Sequence, residues 1–290
     1  MSDATGAPGR KAVCWLCPHR CHLSDGQTGF CRARQNQGGI IRSLSYGLLT
    51  SAALDPIEKK PLYHFHPGSH ILSLGSFGCN LRCPFCQNYT ISQAGRDGFE
   101  GRHLPMDRTS PKEIVAAAQR LEETSGNIGV AFTYNEPLVG YEFVYDTARL
   151  LKEAGLAVVL VTNGQIEKDP WLHLLPYVDA VNIDLKGFTQ SFYDWIGGDL
   201  KTTKAAIEMA AEEGVHVEVT TLVIPGKNDG AEEMAAEAEW LAGISAELPF
   251  HLSRYFPRYQ SEIPMTPCET LQRLKRIAAA RLRFVHLGNV

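Results

Sequence analysis

Three closely spaced cysteines, Cys79, Cys83 and Cys86, are the residues whose types and spacing most clearly indicate chemistry. They form a C-x3-C-x2-C pattern immediately after the apolar run 71–75. Three thiolates on one short loop can bind three irons of a cubane cluster and leave the fourth iron without a protein ligand. Because metal sites react at an open coordination position, the pattern predicts a catalytic centre. The alternative is a zinc knuckle that lacks one ligand.

The composition limits the class of protein. The chain has 290 residues, of which 44% are hydrophobic and 21% charged, as in ordinary globular proteins. Its net charge of −4 gives no support to nucleic-acid binding. It has neither an apolar run of membrane-spanning length nor an N-terminal signal-peptide core. We therefore expect a cytoplasmic protein without membrane or nucleic-acid partners, whose eight cysteines bind metal rather than form disulfides.

The chain divides into three parts. Residues 1–10 are small and polar, which predicts disorder, and residues 11–70 form a Cys-rich metal-binding extension followed by a connector. From residue 71 to residue 290, short aliphatic runs alternate with helical stretches. The predicted strands are 71–75, 129–133, 156–162, 179–184, 215–223, 248–253 and 283–287.

Repeating strand–helix units predict an α/β fold with parallel strands and right-handed crossovers. With seven strands we favour a partial (β/α)6-type TIM-like barrel over a doubly wound sheet. Two capping boxes, at Ser110 and at Thr266, predict helices over 111–123 and 267–280. Gly155 and Gly214 fit helix C-terminal caps.

The cluster loop, with Phe85 before its last cysteine and a first strand before it, resembles that of the radical S-adenosylmethionine (SAM) enzymes. The resemblance implies that Cys79, Cys83 and Cys86 hold a [4Fe-4S] cluster whose open iron is chelated by SAM. It also implies that one electron cleaves SAM to methionine and a 5′-deoxyadenosyl radical, which abstracts a hydrogen atom. Such an enzyme is an oxygen-sensitive oxidoreductase.

Polar residues after two predicted strands extend the resemblance, since functional residues of barrels lie at the C-terminal ends of strands. Asn135 and Glu136 stand where the family has its GGEP segment, which binds the SAM amino group, and only the Glu-Pro part is retained. Thr162 and Asn163 resemble the family's turn that faces the ribose and the carboxylate.

The fourth predicted strand ends with a further charged pair. Asp184 and Lys186 are two residues apart, so they face the same side of a regular strand. The resemblance implies that Lys186 pairs with the SAM carboxylate, and a simple ion pair at the strand end is the alternative. The SAM-binding set implied in this way is Phe85, Asn135, Glu136, Thr162, Asn163, Asp184 and Lys186.

A wider set of motifs resembles the radical SAM member of the AmmeMemoRadiSam group, which is related to pyruvate formate-lyase-activating enzymes. These motifs lie at 14–21, 29–31, 55–62, 78–88, 134–137, 184–186, 221–226 and 288–290. The resemblance implies a flavodoxin- or ferredoxin-type reductant. It also implies a protein substrate or AmmeMemoRadiSam partner proteins.

A second group of cysteines lies in the N-terminal extension. Four thiolates fill a tetrahedral zinc site or close an iron–sulfur cluster, so either metal fits. A structural metal would staple a segment that is too short to build its own core, whereas a second cluster could relay electrons. The four ligands are Cys14, Cys17, Cys21 and Cys31, for one of which His19 or His22 could substitute.

Other residues are candidates for contact with a substrate. His251 lies in the segment that ends the sixth predicted strand and is a candidate proton donor or anion anchor, or a hydrogen-bonded core histidine. The connector contains four further candidates, for which the narrower resemblance implies a function although such charges are usually only solvated. They are Lys59, Lys60, His64 and His66. Cys268, in the first turn of the last helix, is expected to be structural.

Three functions remain open from the sequence. The first is an activase that makes a glycyl radical on a partner protein, which predicts an open groove. The second is an enzyme acting on a small molecule, which predicts a closed pocket with convergent polar groups. The third is a non-catalytic electron-transfer protein, which would need none of the SAM-binding residues.

Overall fold

The computed structural model describes residues 9–95 and 104–290, so the predicted disorder of residues 1–10 falls almost wholly outside the described residues. The strands are β1 Ala12–Val13, β2 His22–Leu23, β3 Arg34–Gln37, β4 Ile40–Ser43, β5 Leu48–Leu49, β6 Ser51–Pro56, β7 His70–Gly75, β8 Asp107–Arg108, β9 Asn127–Phe132, β10 Ala157–Thr162, β11 Ala180–Asp184, β12 His216–Val223, β13 Phe250–Arg254 and β14 Val285–Gly288.

The helices lie mainly between the later strands. They are α1 Tyr89–Ser92, α2 Pro111–Ser125, α3 Tyr141–Glu153, α4 Lys168–Leu174, α5 Gln190–Ile196, α6 Leu200–Glu212, α7 Ala231–Ile244 and α8 Cys268–Ala278. Short 3-10 turns occupy Ile57–Lys59, Pro137–Gly140 and Leu175–Tyr177.

One eight-stranded sheet organises the molecule, in the order β14-β13-β12-β11-β10-β9-β7-β6. All seven predicted strands are present in it and pair in parallel in chain order. A doubly wound sheet would reverse its strand order, whereas this order runs in one direction, as in a barrel. The ends of the sheet are β14 and β6, so the fold is a partial barrel, and the predicted α/β class is confirmed.

The sequence reasoning missed β6, which lies inside the predicted connector and pairs antiparallel with β7. Its hydrophobic alternation is weak, because four of its six residues are Ser, Ala, Ala and Asp, and only the pairing with β7 defines it. After β6 the chain enters the barrel at the N-terminal ends of its parallel strands. Ile57 and Leu62 are fully buried there and pack with Ala131 and Val159 of the neighbouring strands. The connector therefore closes the N-terminal end of the barrel.

The helix boundaries follow most of the predicted capping signals. The Ser110 side chain caps the Glu113 N–H and Glu113 reciprocates, which confirms the first capping box. Gly155 and Gly214 follow α3 and α6 with φ of 73° and 77°, as C-terminal caps require. The second capping box is wrong, because the Thr266 hydroxyl donates to the Val223 carbonyl oxygen and α8 has no side-chain cap.

Candidate active site

A cavity of about 360 Å³ lies at the C-terminal ends of β7, β9, β10 and β11. Functional residues of parallel barrels collect at this end of the strands. The cavity wall contains the three cysteines of the cluster loop and most of the residues for which SAM contacts are predicted. They are Cys79, Cys83, Cys86, Asn135, Glu136, Thr162, Asn163, Asp184 and Lys186.

The cluster loop begins at Gly78, whose φ of 87° lies in the region that glycine adopts readily. A Cβ at this position would lie 2.6 Å from the carbonyl oxygen of Cys31, so the N-terminal extension packs directly on the loop. The Leu81 N–H points at the Cys79 sulfur over 3.4 Å. Burial raises the pKa of the Cys83 thiol to about 12, against the opposing charge of Lys186. Metal binding would therefore displace protons from these thiols.

Asn135 holds the start of the cluster loop in place. Its side-chain oxygen accepts a hydrogen bond from the Ser76 N–H at 2.9 Å, and its amide donates to the Gly78 carbonyl oxygen at 3.1 Å. Asn135 thus connects the end of β9 to the end of β7 and also faces the cavity.

Glu136 is buried rather than exposed on a loop. Its carboxylate accepts hydrogen bonds from the Leu138 N–H at 3.0 Å, the Thr162 hydroxyl at 2.7 Å and the Asn163 N–H at 2.8 Å. Burial raises the pKa of Glu136 to about 7, although these hydrogen bonds oppose the shift. The carboxylate therefore links the ends of β9 and β10 in a fixed orientation at the cavity wall.

Asn163 joins the turn after β10 to the cluster loop. Its side-chain amide donates to the Asn80 side-chain oxygen at 2.9 Å and lies 3.6 Å from the Cys79 sulfur. The Thr203 hydroxyl donates to the Asn163 carbonyl oxygen from α6. The reasoning from sequence missed Asn80, which lies within the cysteine motif and also donates to the Gln165 carbonyl oxygen.

Asp184 and Lys186 form an ion pair with an N–O distance of 2.6 Å at the cavity wall. The predicted common orientation of the two side chains is therefore seen in the structure. Burial lowers the pKa of Lys186, but the charges of Asp184 and of the nearby Cys83 outweigh burial and raise it above its usual value. Lys186 is thus a cation beside the cysteines.

Two predicted residues lie away from the cavity wall. Phe85 packs in an aromatic cluster behind the loop, with ring centroids 5.4 Å from Trp195 and 6.3 Å from Tyr255. His251 lies lower in the barrel, where its Nε2 is 2.6 Å from a carboxylate oxygen of the fully buried Glu218. Neither side chain is among the residues that line the cavity, and the cofactor contact of Phe85 and the substrate contact of His251 stay predictions.

The second set of cysteines gathers next to the first. The thiol of Cys17 lies close enough to Cys14, Cys21 and Cys31 for their charges to raise its pKa, after burial, to about 12. The Cys79 N–H donates to the Cys31 carbonyl oxygen at 3.3 Å. Within the described residues, no group of three or more His, Cys, Asp or Glu side chains converges tightly enough for a single metal ion.

The connector brings Lys59 and Lys60 to the wall of the same cavity. Tyr134 also lines it, with a φ of 71° that is uncommon for a residue with a side chain. The sequence pattern named Tyr134 within a motif without giving it a role. The feature that distinguishes Tyr134 is its left-handed backbone conformation, which is visible only in the structure. Over residues 9–95 and 104–290, no helix is long and apolar enough to span a membrane.

Comparisons with known proteins agree with this geometry. An uncharacterized protein of Methanocaldococcus jannaschii is 40% identical over 97% of this chain and 82% of its own length. The pyruvate formate-lyase 1-activating enzyme of Escherichia coli is 28% identical over 52% of this chain and 60% of its own length. The crystal structure of QueE from Escherichia coli has the same fold, with a TM-score of 0.53, 14% identity and coverage of 84% of this chain and 94% of QueE.

The family assignment rests on the sequence match and on the cysteines at the cavity. The sequence model of the radical SAM superfamily matches residues 74–238, which contain the cluster loop and the strands β9 to β12. The relative from Methanocaldococcus jannaschii extends the similarity over nearly the whole chain. This chain therefore belongs to the radical SAM superfamily of enzymes, which use a [4Fe-4S] cluster and S-adenosylmethionine.

Proposed function

We propose that this radical SAM enzyme takes a hydrogen atom from a protein partner, in the manner of an activating enzyme for glycyl-radical enzymes. The observation that carries the proposal is that Cys79, Cys83 and Cys86 share one cavity with Glu136 and with the Asp184–Lys186 pair. The similarity to the pyruvate formate-lyase 1-activating enzyme of Escherichia coli supports the activase role.

The three thiols fit a [4Fe-4S] cluster. The Leu81 N–H and the Asn163 side-chain amide point at the Cys79 sulfur, and the charge of Lys186 acts on Cys83 and Cys86. Donors and cations of this kind stabilise thiolate ligands and a negatively charged cluster. When bound, the cluster supplies the electron for reductive cleavage of SAM, which yields methionine and the 5′-deoxyadenosyl radical that abstracts the substrate hydrogen.

Glu136 is the proposed partner of the SAM amino group. A carboxylate has about four acceptor positions, of which the hydrogen bonds from Leu138, Thr162 and Asn163 use three. One position is left for an ammonium group, and the rigid hold on the carboxylate reduces the entropy lost on binding. Asn135 contributes by fixing the cluster loop beside it.

Lys186, with Asp184, is the proposed partner of the SAM carboxylate. Thr162 and Asn163 are proposed to face the ribose of SAM. Lys186 keeps its positive charge because Asp184 and the thiols raise its pKa. Phe85 packs on Trp195 and is proposed to support the loop that holds the cofactor. Burial of these groups keeps water away from a reactive radical.

The N-terminal cysteines are proposed to hold a second metal, either zinc or an iron–sulfur cluster. Support comes from the four thiols, which lie close enough together to influence one another's charge. Four thiolates on a segment with only short two- and four-residue strands suit a site that is stabilised by metal. The proposed setting is the cytoplasm, with a flavodoxin or ferredoxin as the electron donor, by similarity to the activating enzymes.

A small-molecule substrate is the second candidate, and one observation favours it. Ile57 and Leu62 close the N-terminal end of the barrel, so the cavity ends within the protein. A closed cavity with convergent polar groups is typical of small-molecule sites, whereas an activase must also admit a peptide loop from above.

Anaerobic reconstitution with iron, sulfide, SAM and dithionite tests the central proposal. We expect 5′-deoxyadenosine and methionine, measured by chromatography, in the wild type and in a Cys268→Ala control, whose thiol is exposed. Cys83→Ala should give background levels. Equal amounts from Cys83→Ala and the wild type would contradict the assignment. Incubation with pyruvate formate-lyase, followed by electron paramagnetic resonance, then distinguishes a protein radical from small-molecule turnover.

A further inference from the structure

The base of the active-site cavity carries two adjacent lysines on the turn that follows β6. The 3-10 turn Ile57–Lys59 is held by the Ile57 N–H, which donates to the Ser69 carbonyl oxygen at 3.0 Å. The buried Ile57 anchors the turn beneath the sheet, and Lys60, next in the chain, extends into the barrel. The side chain of Lys60 is only 2% exposed, yet both Lys59 and Lys60 line the cavity that holds the cysteines.

The Asp55 carboxylate forms an ion pair with each of the two lysines. Asp55 lies 2.8 Å from the Lys60 ammonium through one oxygen and 3.3 Å from the Lys59 ammonium through the other. The Tyr134 hydroxyl donates to the same carboxylate at 2.6 Å, and the Lys60 ammonium lies 4.8 Å from the Tyr134 ring centre. These contacts fix the positions of the charges relative to the cavity.

The charges of this group do not cancel. Burial alone would raise the pKa of Asp55, but the hydrogen bonds from Lys60 and Tyr134 hold it well below its usual range. Burial raises the pKa of Tyr134 to about 12, so its hydroxyl remains a neutral donor. Two ammonium groups and one carboxylate leave one positive charge in excess. Burial lowers the pKa of Lys60, against the opposing charge of Asp55. The buried Lys60 is paired with Asp55 at 2.8 Å, so the excess charge lies at Lys59, which faces the cavity and can attract an anionic ligand there.

The other charged groups of the described cavity wall have partners of their own. Lys186 is paired with Asp184 at 2.6 Å, and Glu136 is held by three hydrogen bonds beside the cysteines. An ion pair that only closed the barrel would need one lysine. The second one, Lys59, has a side chain that is 67% exposed and faces the same space.

The backbone conformation of Tyr134, whose side chain contacts Asp55, also indicates a functional role for this part of the cavity. Tyr134 adopts a φ of 71°, and a Cβ on Gly75 would lie only 2.8 Å from its ring. An uncommon backbone conformation persists where the surroundings impose it, and such residues cluster at ligand sites. Here it turns the hydroxyl of Tyr134 onto Asp55.

We propose that Lys59 and Lys60 form an anion-binding floor that holds a carboxylate or phosphate group of the molecule from which the hydrogen atom is taken. This inference rests on the proposed function, since it names the substrate class of the same cavity. The anion would contact the ammonium groups directly, while Asp55 and Tyr134 act as positioning residues.

Titration of small anions into the reconstituted, SAM-loaded enzyme tests the floor under anaerobic conditions. Inorganic phosphate and acetate are the two probes, and isothermal titration calorimetry measures their dissociation constants. We expect saturable binding of at least one probe, and the comparison of the two tells phosphate from carboxylate chemistry. Lys59→Met and Lys60→Met should each weaken binding about tenfold or more, because each removes a charge-assisted contact. The control Lys112→Met, at an exposed position on α2, should bind as the wild type does.

Asp55→Asn is the decisive variant, because it removes the shared negative charge and should tighten anion binding. A purely structural role of Asp55 predicts the opposite, since loosening the floor would weaken binding. The inference would be overturned if neither probe binds saturably or if Lys59→Met binds the anion as the wild type does. It would also be overturned if Asp55→Asn binds the anion more weakly than the wild type. Displacement of SAM by the probes would also overturn it. Because Lys59 is largely exposed, Lys59→Met should fold. Its anion binding therefore tests the inference if Lys60→Met fails to fold.

The two proposals fail in different ways. Formation of 5′-deoxyadenosine without anion binding would overturn the floor and leave the radical SAM activity intact. Anion binding without 5′-deoxyadenosine would contradict the proposed activity while retaining the floor.

Discussion

The backbone N–H of Cys79 donates a hydrogen bond to the carbonyl oxygen of Cys31 over 3.3 Å. The last cysteine of the N-terminal set thus contacts the first cysteine of the cluster loop. The imidazole of His19 adds a second link, with its Nε2 2.8 Å from the Asn80 carbonyl oxygen. A disturbance of the N-terminal extension should therefore reach the cluster loop.

Gly78→Ala should weaken the contact between the N-terminal extension and the cluster loop. The new methyl group would lie 2.6 Å from the Cys31 carbonyl oxygen, and a φ of 87° disfavours any side chain. Gly126→Ala is a matched control, since φ is 65° there but nothing lies within 4 Å of the added Cβ. We expect Gly78→Ala to be about 2 kcal/mol less stable than Gly126→Ala in urea unfolding, because overpacking adds to the backbone strain. Equal stability of the two variants would contradict the contact.

Cys17→Ala should lower the metal content of the purified protein. A structural metal contributes folding energy, so we also expect a lower melting temperature. Iron, zinc and acid-labile sulfide are measured on anaerobically prepared protein. Loss of zinc identifies a zinc site, whereas loss of iron together with sulfide identifies a second cluster. Cys268→Ala, with an exposed thiol outside both sets, is the control. The same metal content in both variants would refute a metal at Cys17.

Glu136→Gln should weaken SAM binding. The amide is nearly isosteric and can still accept from Leu138 and Thr162, but it has no charge for the SAM ammonium group. We expect a SAM dissociation constant about tenfold higher, measured by anaerobic equilibrium dialysis, because the charge-assisted hydrogen bond is lost and the amide NH2 cannot accept one in its place. Glu247→Gln, which changes an exposed carboxylate paired with Arg283 outside the described cavity wall, serves as the control. If both variants bind SAM equally, Glu136 does not contact the amino group.

Glu218 should make the stability of the chain depend on pH. Its fully buried carboxylate is hydrogen-bonded to His216 and His251 and accepts from the N–H groups of Tyr63 and His64. Burial alone would raise the pKa of Glu218, but these bonds lower it to about 2. Since an unfolded glutamate has a pKa of about 4.3, the stabilisation is complete above that pH and is lost as the pH falls towards 2.

The comparison of Glu218→Gln with the wild type measures this effect in urea unfolding of the metal-free chain. We expect a loss of about 3 kcal/mol at pH 7 and a smaller difference at pH 3, because the carboxylate of the unfolded wild-type chain is then largely protonated and folding must release that proton at a cost. Glu247→Gln removes an exposed pair with Arg283 and should change stability little at either pH. A difference between Glu218→Gln and the wild type that does not change with pH would show that ionisation of Glu218 does not stabilise the fold.

The strands of the barrel and the chemical type of the centre could be predicted from the amino-acid sequence. The aliphatic runs of β9 to β12 are long enough to be read without a structure, because strands covered on both faces are rich in aliphatic residues. The C-x3-C-x2-C spacing identified the cluster loop, since local spacing alone decides whether one short loop can present three thiolates. Glu136 and Asn163 were located by their positions after predicted strand ends together with the resemblance to the family's motifs.

The contacts of these residues could not be predicted and follow from the folded arrangement of the chain. The edge strand β6 has no pattern of its own and exists through its pairing with β7, and Thr266 bonds to a distant carbonyl oxygen rather than capping α8. His251 turns to Glu218, and Lys60 shares Asp55 with Lys59 beneath the cysteines. Contacts between residues far apart in the chain depend on how the strands are brought together, and a single sequence does not record those distances.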